Sequence, residues 1–152
     1  MGLFIGLFAL LGFLINLGYA QLAAWFAQVE TPRVMLSAPA DCHLSQKTCA
    51  VRSEELSVSV FPSDNVRALK PFSFQVRLEG PLADTVQDVT VHFAMVGMDM
   101  GVNRFHLRRK ADQRWQGKVI LPLCTTGRSD WIATVEIETE PPYSVQFPLT
   151  VN

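Results

Sequence analysis

Phe72-Ser73-Phe74-Gln75-Val76-Arg77-Leu78-Glu79 alternates apolar and polar residues without a break. A β-strand turns successive side chains to opposite faces, so this stretch reads as a strand with one face in a core and the other in water. The same period of two appears upstream in Leu56, Val58 and Val60 with Ser57 and Ser59 between them. Downstream it recurs in Val89, Val91 and Phe93; in Phe105 and Leu107 against Arg104, His106 and Arg108; and in residues 115–121, 132–137 and 145–151. Turn-forming clusters separate these segments, among them Pro62-Ser63-Asp64-Asn65, Glu79-Gly80-Pro81, Gly101-Val102-Asn103, Thr126-Gly127-Arg128-Ser129-Asp130 and Glu140-Pro141-Pro142. No helical period intervenes. About seven short antiparallel strands over residues 57–152 predict an all-β, immunoglobulin-like sandwich. The Cys-Trp-Cys spacing of antibody domains is absent, so the expectation concerns architecture alone.

Ahead of this domain the composition changes. Residues 2–29 contain no Asp, Glu, Lys, Arg or His, and nearly all of residues 3–26 is apolar. At 1.5 Å per residue, 24 helical residues reach roughly 36 Å, enough to cross a hydrocarbon core of ~30 Å. The segment 1–29 is therefore expected to be a single transmembrane helix, with Trp25 at the headgroup level. A cleaved signal peptide is the rival, because Gly18-Tyr19-Ala20 presents small residues where a signal peptidase reads them. Against cleavage, the apolar run continues through Phe26 and no Lys or Arg precedes it. Positive charge gives no orientation, since only Arg33 and Lys47 follow closely.

Residues 30–56 read as a linker with a pinned loop. Cys42 and Cys49 enclose six residues, and a disulfide between them is expected, which implies an oxidising compartment such as the periplasm. The alternative is a metal site from Cys42, His43 and Cys49; adjacent residues seldom aim at one ion, and tetrahedral zinc would lack ligands. The domain is then expected outside the cytoplasm, held by its anchor to the inner membrane.

The net charge of −1 gives no broad basic field for nucleic acid. No Ser/His/Asp constellation, phosphate-cradling glycine loop or HExxH is present, and a thiol oxidoreductase would use CxxC in an α/β fold. The chain is thus not read as an enzyme. Its chemistry lies in sulfur. Met95-Val96-Gly97-Met98-Asp99-Met100-Gly101 holds three of the five methionines, and Cys124 is the one cysteine left over. Met95 reads as core. Met98 and Met100 are two apart, so in extended chain both thioethers point one way. They serve equally as gap-filling side chains or as soft donors to copper(I). In an up-and-down order of strands, the loop holding Met98 and Met100, the loop holding Cys124 and the loop of residues 62–71 fall at one end, with the anchor entering at the other. Met98, Met100 and Cys124 form the candidate copper(I) site. His106 is a further candidate ligand, although its parity puts it on the outer face with Arg104 and Arg108.

Taken together, the N-terminal anchor, Met98-Asp99-Met100-Gly101, Trp115-Gln116-Gly117 in a following strand and Trp131 opening another resemble the FixH/YtkA-like group. These are short membrane-anchored proteins with a small extracytoplasmic β-sandwich. The resemblance covers about residues 55–152 and implies copper handling or cytochrome oxidase assembly, with the bilayer and a membrane or copper protein as partners. The segment 121–128 and the Cys42/Cys49 pair depart from that pattern. A metal-free module that helps assemble a membrane complex is the second expectation, in which the methionines are adaptable contacts.

Overall fold

The computed structural model describes residues 31–39, 41–44, 47–61, 66–98, 100–101 and 103–151. The expected anchor, residues 1–29, lies outside them. Among the described residues no helix is long and apolar enough to cross a membrane. Residues Pro32–Asn152 form one compact unit.

That unit is all-β, with nine strands among the described residues: β1 (Val34–Ser37), β2 (Cys49–Arg52), β3 (Ser57–Phe61), β4 (Phe72–Glu79), β5 (Asp88–Met95), β6 (Arg104–Arg109), β7 (Arg114–Val119), β8 (Asp130–Glu138) and β9 (Tyr143–Thr150). Their order in the sheet is β1-β9-β8-β5-β6-β7-β4-β3-β2. All seven segments read from the alternation are strands. The other two, β1 and β2, fall in the stretch read as linker. Each is four residues long, too short to display a period. β1 also pairs parallel to β9, whereas the other pairings are antiparallel.

One strand joins the two halves of the sheet. β6 pairs with β5 along its first part, up to Leu107, and with β7 at Arg108 and Arg109. Gly117 of β7 sits where these halves diverge: a Cβ there would lie 2.9 Å from Leu107 Cδ2 and 3.2 Å from His106 O, so a larger residue would make both neighbours give way. The sheet folds over on itself. Phe93 of β5 meets Phe74 of β4 edge-on, with centroids 5.9 Å apart, and Phe72 at 6.0 Å, although β6 and β7 separate those strands in the order. The inward residues of the opening octapeptide, Phe72, Phe74, Val76 and Leu78, are all buried in this core, while Ser73, Gln75 and Arg77 stay partly exposed. Trp115 and Trp131 are buried at strand starts, and the Arg109 guanidinium covers the Trp115 ring at 5.9 Å.

Cys42 and Cys49 form a disulfide, with Cα atoms 5.6 Å apart and both residues buried. The bond closes the connection between β1 and β2, and Leu44 inside it is buried and donates its N–H to Pro148 O. His43 is exposed beside it.

Register fixes which loops share an end. Arg33, just ahead of β1, lies with the turns after β8 and after β4: its guanidinium pairs with Glu138, and Val34 N–H donates to Pro142 O. The opposite end carries the connections after β3, β5 and β7.

Candidate functional site

The β5–β6 connection begins as a tight turn. Met98 N–H donates to Met95 O at 3.1 Å, and Gly97 between them takes a left-handed φ of 72°. Met95 is buried in the core, as its parity predicts; Val96 is 63% exposed at the tip; Met98 and Met100 are half-buried against the core edge. The returning chain is fastened by Asn103. Its side-chain carbonyl accepts from Phe93 N–H at 2.7 Å and its amide donates to Phe93 O at 2.8 Å, replacing the pair of bonds a facing strand residue would make.

The β7–β8 connection runs from buried Leu121 through exposed Leu123 to half-buried Cys124, then turns at Gly127, whose N–H donates to Cys124 O. Arg128 forks onto the Asp130 carboxylate and donates a third bond, 3.2 Å, to Val96 O at the tip of the methionine turn. This bond stitches the methionine loop to the cysteine loop, so the two share one rim. Cys124 Sγ lies 3.1 Å from the Thr126 hydroxyl. That hydroxyl, with the backbone N–H groups of Thr126, Arg128 and Gly127, holds the thiol below the usual cysteine range; slight burial opposes them. A larger thiolate fraction at neutral pH follows.

The third loop joins through backbone. Ala68 bridges Leu121, and Leu69 N–H donates to Leu121 O at 2.9 Å. Leu69 is 60% exposed and holds a φ of 60°, a left-handed conformation that is costly for a branched apolar residue. Four of the five large apolar side chains exposed among the described residues, Leu69, Val96, Ile120 and Leu123, belong to this end; the fifth, Met35, is on edge strand β1.

His106 is set apart from the rim. It stands opposite Thr90, five residues along β5 from Met95, or roughly 17 Å at strand rise. Its Nδ1 binds Asp88 at 2.8 Å on the exposed outer face. The structure therefore gathers the loops of Met98, Met100 and Cys124 and leaves His106 elsewhere. Among the described residues, no group of three or more His, Cys, Asp and Glu side chains is placed to hold a metal ion.

Comparison with protein-family models, curated proteins and solved structures gives no match to this chain. The site must be read from its own residues. The residues that assemble it, Asn103 and Arg128, were not singled out from the sequence. The Arg128-Ser129-Asp130 spacing, which lets an ion pair close within a turn, is the one local sign of them.

The outer face of β8, β5 and β6 is the other polar surface. Thr90 is flanked across the ladder by Glu136 and His106, and His92 by Thr134 and Arg104. Arg104 reaches from β6 over β5 to the Glu136 carboxylate, which also accepts from the Thr90 hydroxyl at 3.4 Å.

Proposed function

We propose that this chain is a membrane-anchored, extracytoplasmic protein of immunoglobulin-like architecture that holds copper(I) for a partner through Met98, Met100 and Cys124. The Arg128 bond to Val96 O carries the reading, because it ties the loop of the two thioethers to the loop of the thiol. Two further features support it. Both methionines and the cysteine are half-buried, which leaves a bound ion open to transfer, and the lowered thiol supplies the anionic sulfur that soft copper(I) favours. The disulfide fits an oxidising compartment. The resemblance to the FixH/YtkA-like group and a place in oxidase assembly belong to the same proposal. The full chain in detergent, titrated anaerobically with copper(I) against a competing chelator, tests it. Stoichiometric binding should be lost in a variant carrying Met98→Leu, Met100→Leu and Cys124→Ser. No binding, or equal binding in both proteins, overturns the reading.

The exposed apolar side chains of Leu69, Val96, Ile120 and Leu123 favour a second reading, a metal-free module whose rim docks on a membrane complex. Copurification of such a complex that survives the three sulfur replacements but not Leu69→Asp with Leu123→Asp would select it.

A further inference from the structure

His92 sits at the centre of the outer polar face with its Nδ1 buried and no hydrogen-bond partner among the described residues. The carboxylate beside it is Glu136 of β8, whose Oε1 at 3.9 Å is too far for a hydrogen bond and near enough for a small side-chain shift to close. That carboxylate, only 12% exposed, is already committed to Arg104 of β6, the cation directly opposite His92 in the ladder. Of the remaining charged groups on this face, exposed Arg108 of β6 lies four residues along the strand from Arg104, away from His92, and the carboxylates are engaged elsewhere. Asp88 of β5 holds His106 of β6, and Glu138 of β8 holds Arg33. A proton arriving on His92 therefore has one carboxylate to turn to, and Arg104 is using it.

We propose that protonated His92 competes with Arg104 for Glu136, so that mild acid loosens the fastening at the returning end of the methionine loop. Arg104 directly follows Asn103, whose side chain clamps Phe93, so its tether to Glu136 backs up that clamp from the next residue. When His92 is neutral, Arg104 has both carboxylate oxygens within reach, Oε2 closely and Oε1 at 3.4 Å. When it is charged, His92 takes Oε1, and the two cations repel across the ladder. Burial holds the imidazole below the ordinary histidine range; Glu136 pulls it back up and Arg104 pushes it further down. The device consequently works on the acid side of neutrality. It acts on the loop whether or not the rim holds metal.

The test uses the full chain in detergent micelles, without copper. Histidine ring signals are titrated by NMR, with the His92 signal assigned by its loss in His92→Gln. Amide exchange is followed across residues 96–105 from about pH 7.5 to about pH 5.5, corrected for the intrinsic rate, across the ordinary histidine range. The His92 ring should titrate below that range, and exchange at Arg104 and Phe105 should rise several-fold with acid while β4 stays unchanged. In His92→Gln and in Glu136→Gln the rise should be absent. A His92 midpoint at or above the ordinary value, or the same acid-induced rise in the variants as in the parent, overturns the proposal.

Discussion

The two ends of this sheet are finished in opposite ways. Where Arg33 enters, polar partners close the surface: Arg33 meets Glu138, Thr85 meets Thr139 at 3.0 Å, and Arg109 and Gln113 share Asp84 at 3.3 and 3.2 Å. Leu82 N–H also donates to Glu55 O at that end, and the Tyr143 hydroxyl reaches the Glu55 carboxylate at 3.4 Å. At the far rim the side chains left in water are Leu69, Val96, Ile120 and Leu123, on loops that turn through left-handed Gly97, Gly101 and Gly127. A closed end stabilises the fold. An open end with apolar tips suits a surface that meets another molecule.

Substitutions at matched positions break or sharpen that contrast. The largest effect belongs to the core between the ends: Phe93→Ala empties a fully buried ring site and should cost about 3–5 kcal/mol, read as a fall in the denaturant midpoint. Next come two glycines treated alike. Gly80 at the closed end has φ 117° and would drive a Cβ to 2.6 Å from Glu55 O, so Gly80→Ala should cost about 2–4 kcal/mol. Gly97 at the rim has nothing within 4 Å, so Gly97→Ala should cost only about 1 kcal/mol, from its φ of 72° alone. Equal losses in thermal melts would show that the rim is as tightly built as the closed end.

The outer face gives a smaller, pH-dependent effect. Because burial lowers the proton affinity of His92 in the folded chain, the unfolded chain binds the proton more readily. The stability His92 contributes is therefore full above the unfolded value of about 6.5 and is lost as pH falls through and below it. The slope of stability against pH in that window should flatten in His92→Gln. Smallest in stability are the rim substitutions. Arg128→Ala and Leu123→Ser should each move unfolding by less than about 0.5 kcal/mol. Arg128→Ala should nonetheless weaken copper(I) binding. Thr126→Val should slow alkylation of Cys124 at neutral pH, since the hydroxyl that favours the thiolate is gone.

Most of the strands were legible because one buried face writes a period of two into the sequence, as in residues 72–79. β1 and β2 were not, because Val34-Met35-Leu36-Ser37 and Cys49-Ala50-Val51-Arg52 are short, and β1 borrows its order from β9, more than a hundred residues away. The meeting of the methionine and cysteine loops followed from counting strands, and the Arg128 bond to Val96 is its physical form. The place of His106 on the outer face also followed from parity. The dependence of His92 on Glu136 did not, since it requires the β5–β8 register, which no local pattern encodes.

Asn103 leaves one consequence for the history of the chain. Its side chain satisfies both backbone groups of Phe93, so the ladder of β5 is complete before the methionine turn begins. The two sheet bonds at Phe93 thus come from a side chain rather than from the backbone of a facing strand residue. Selection on the rim can therefore act without removing these two bonds, provided the asparagine remains.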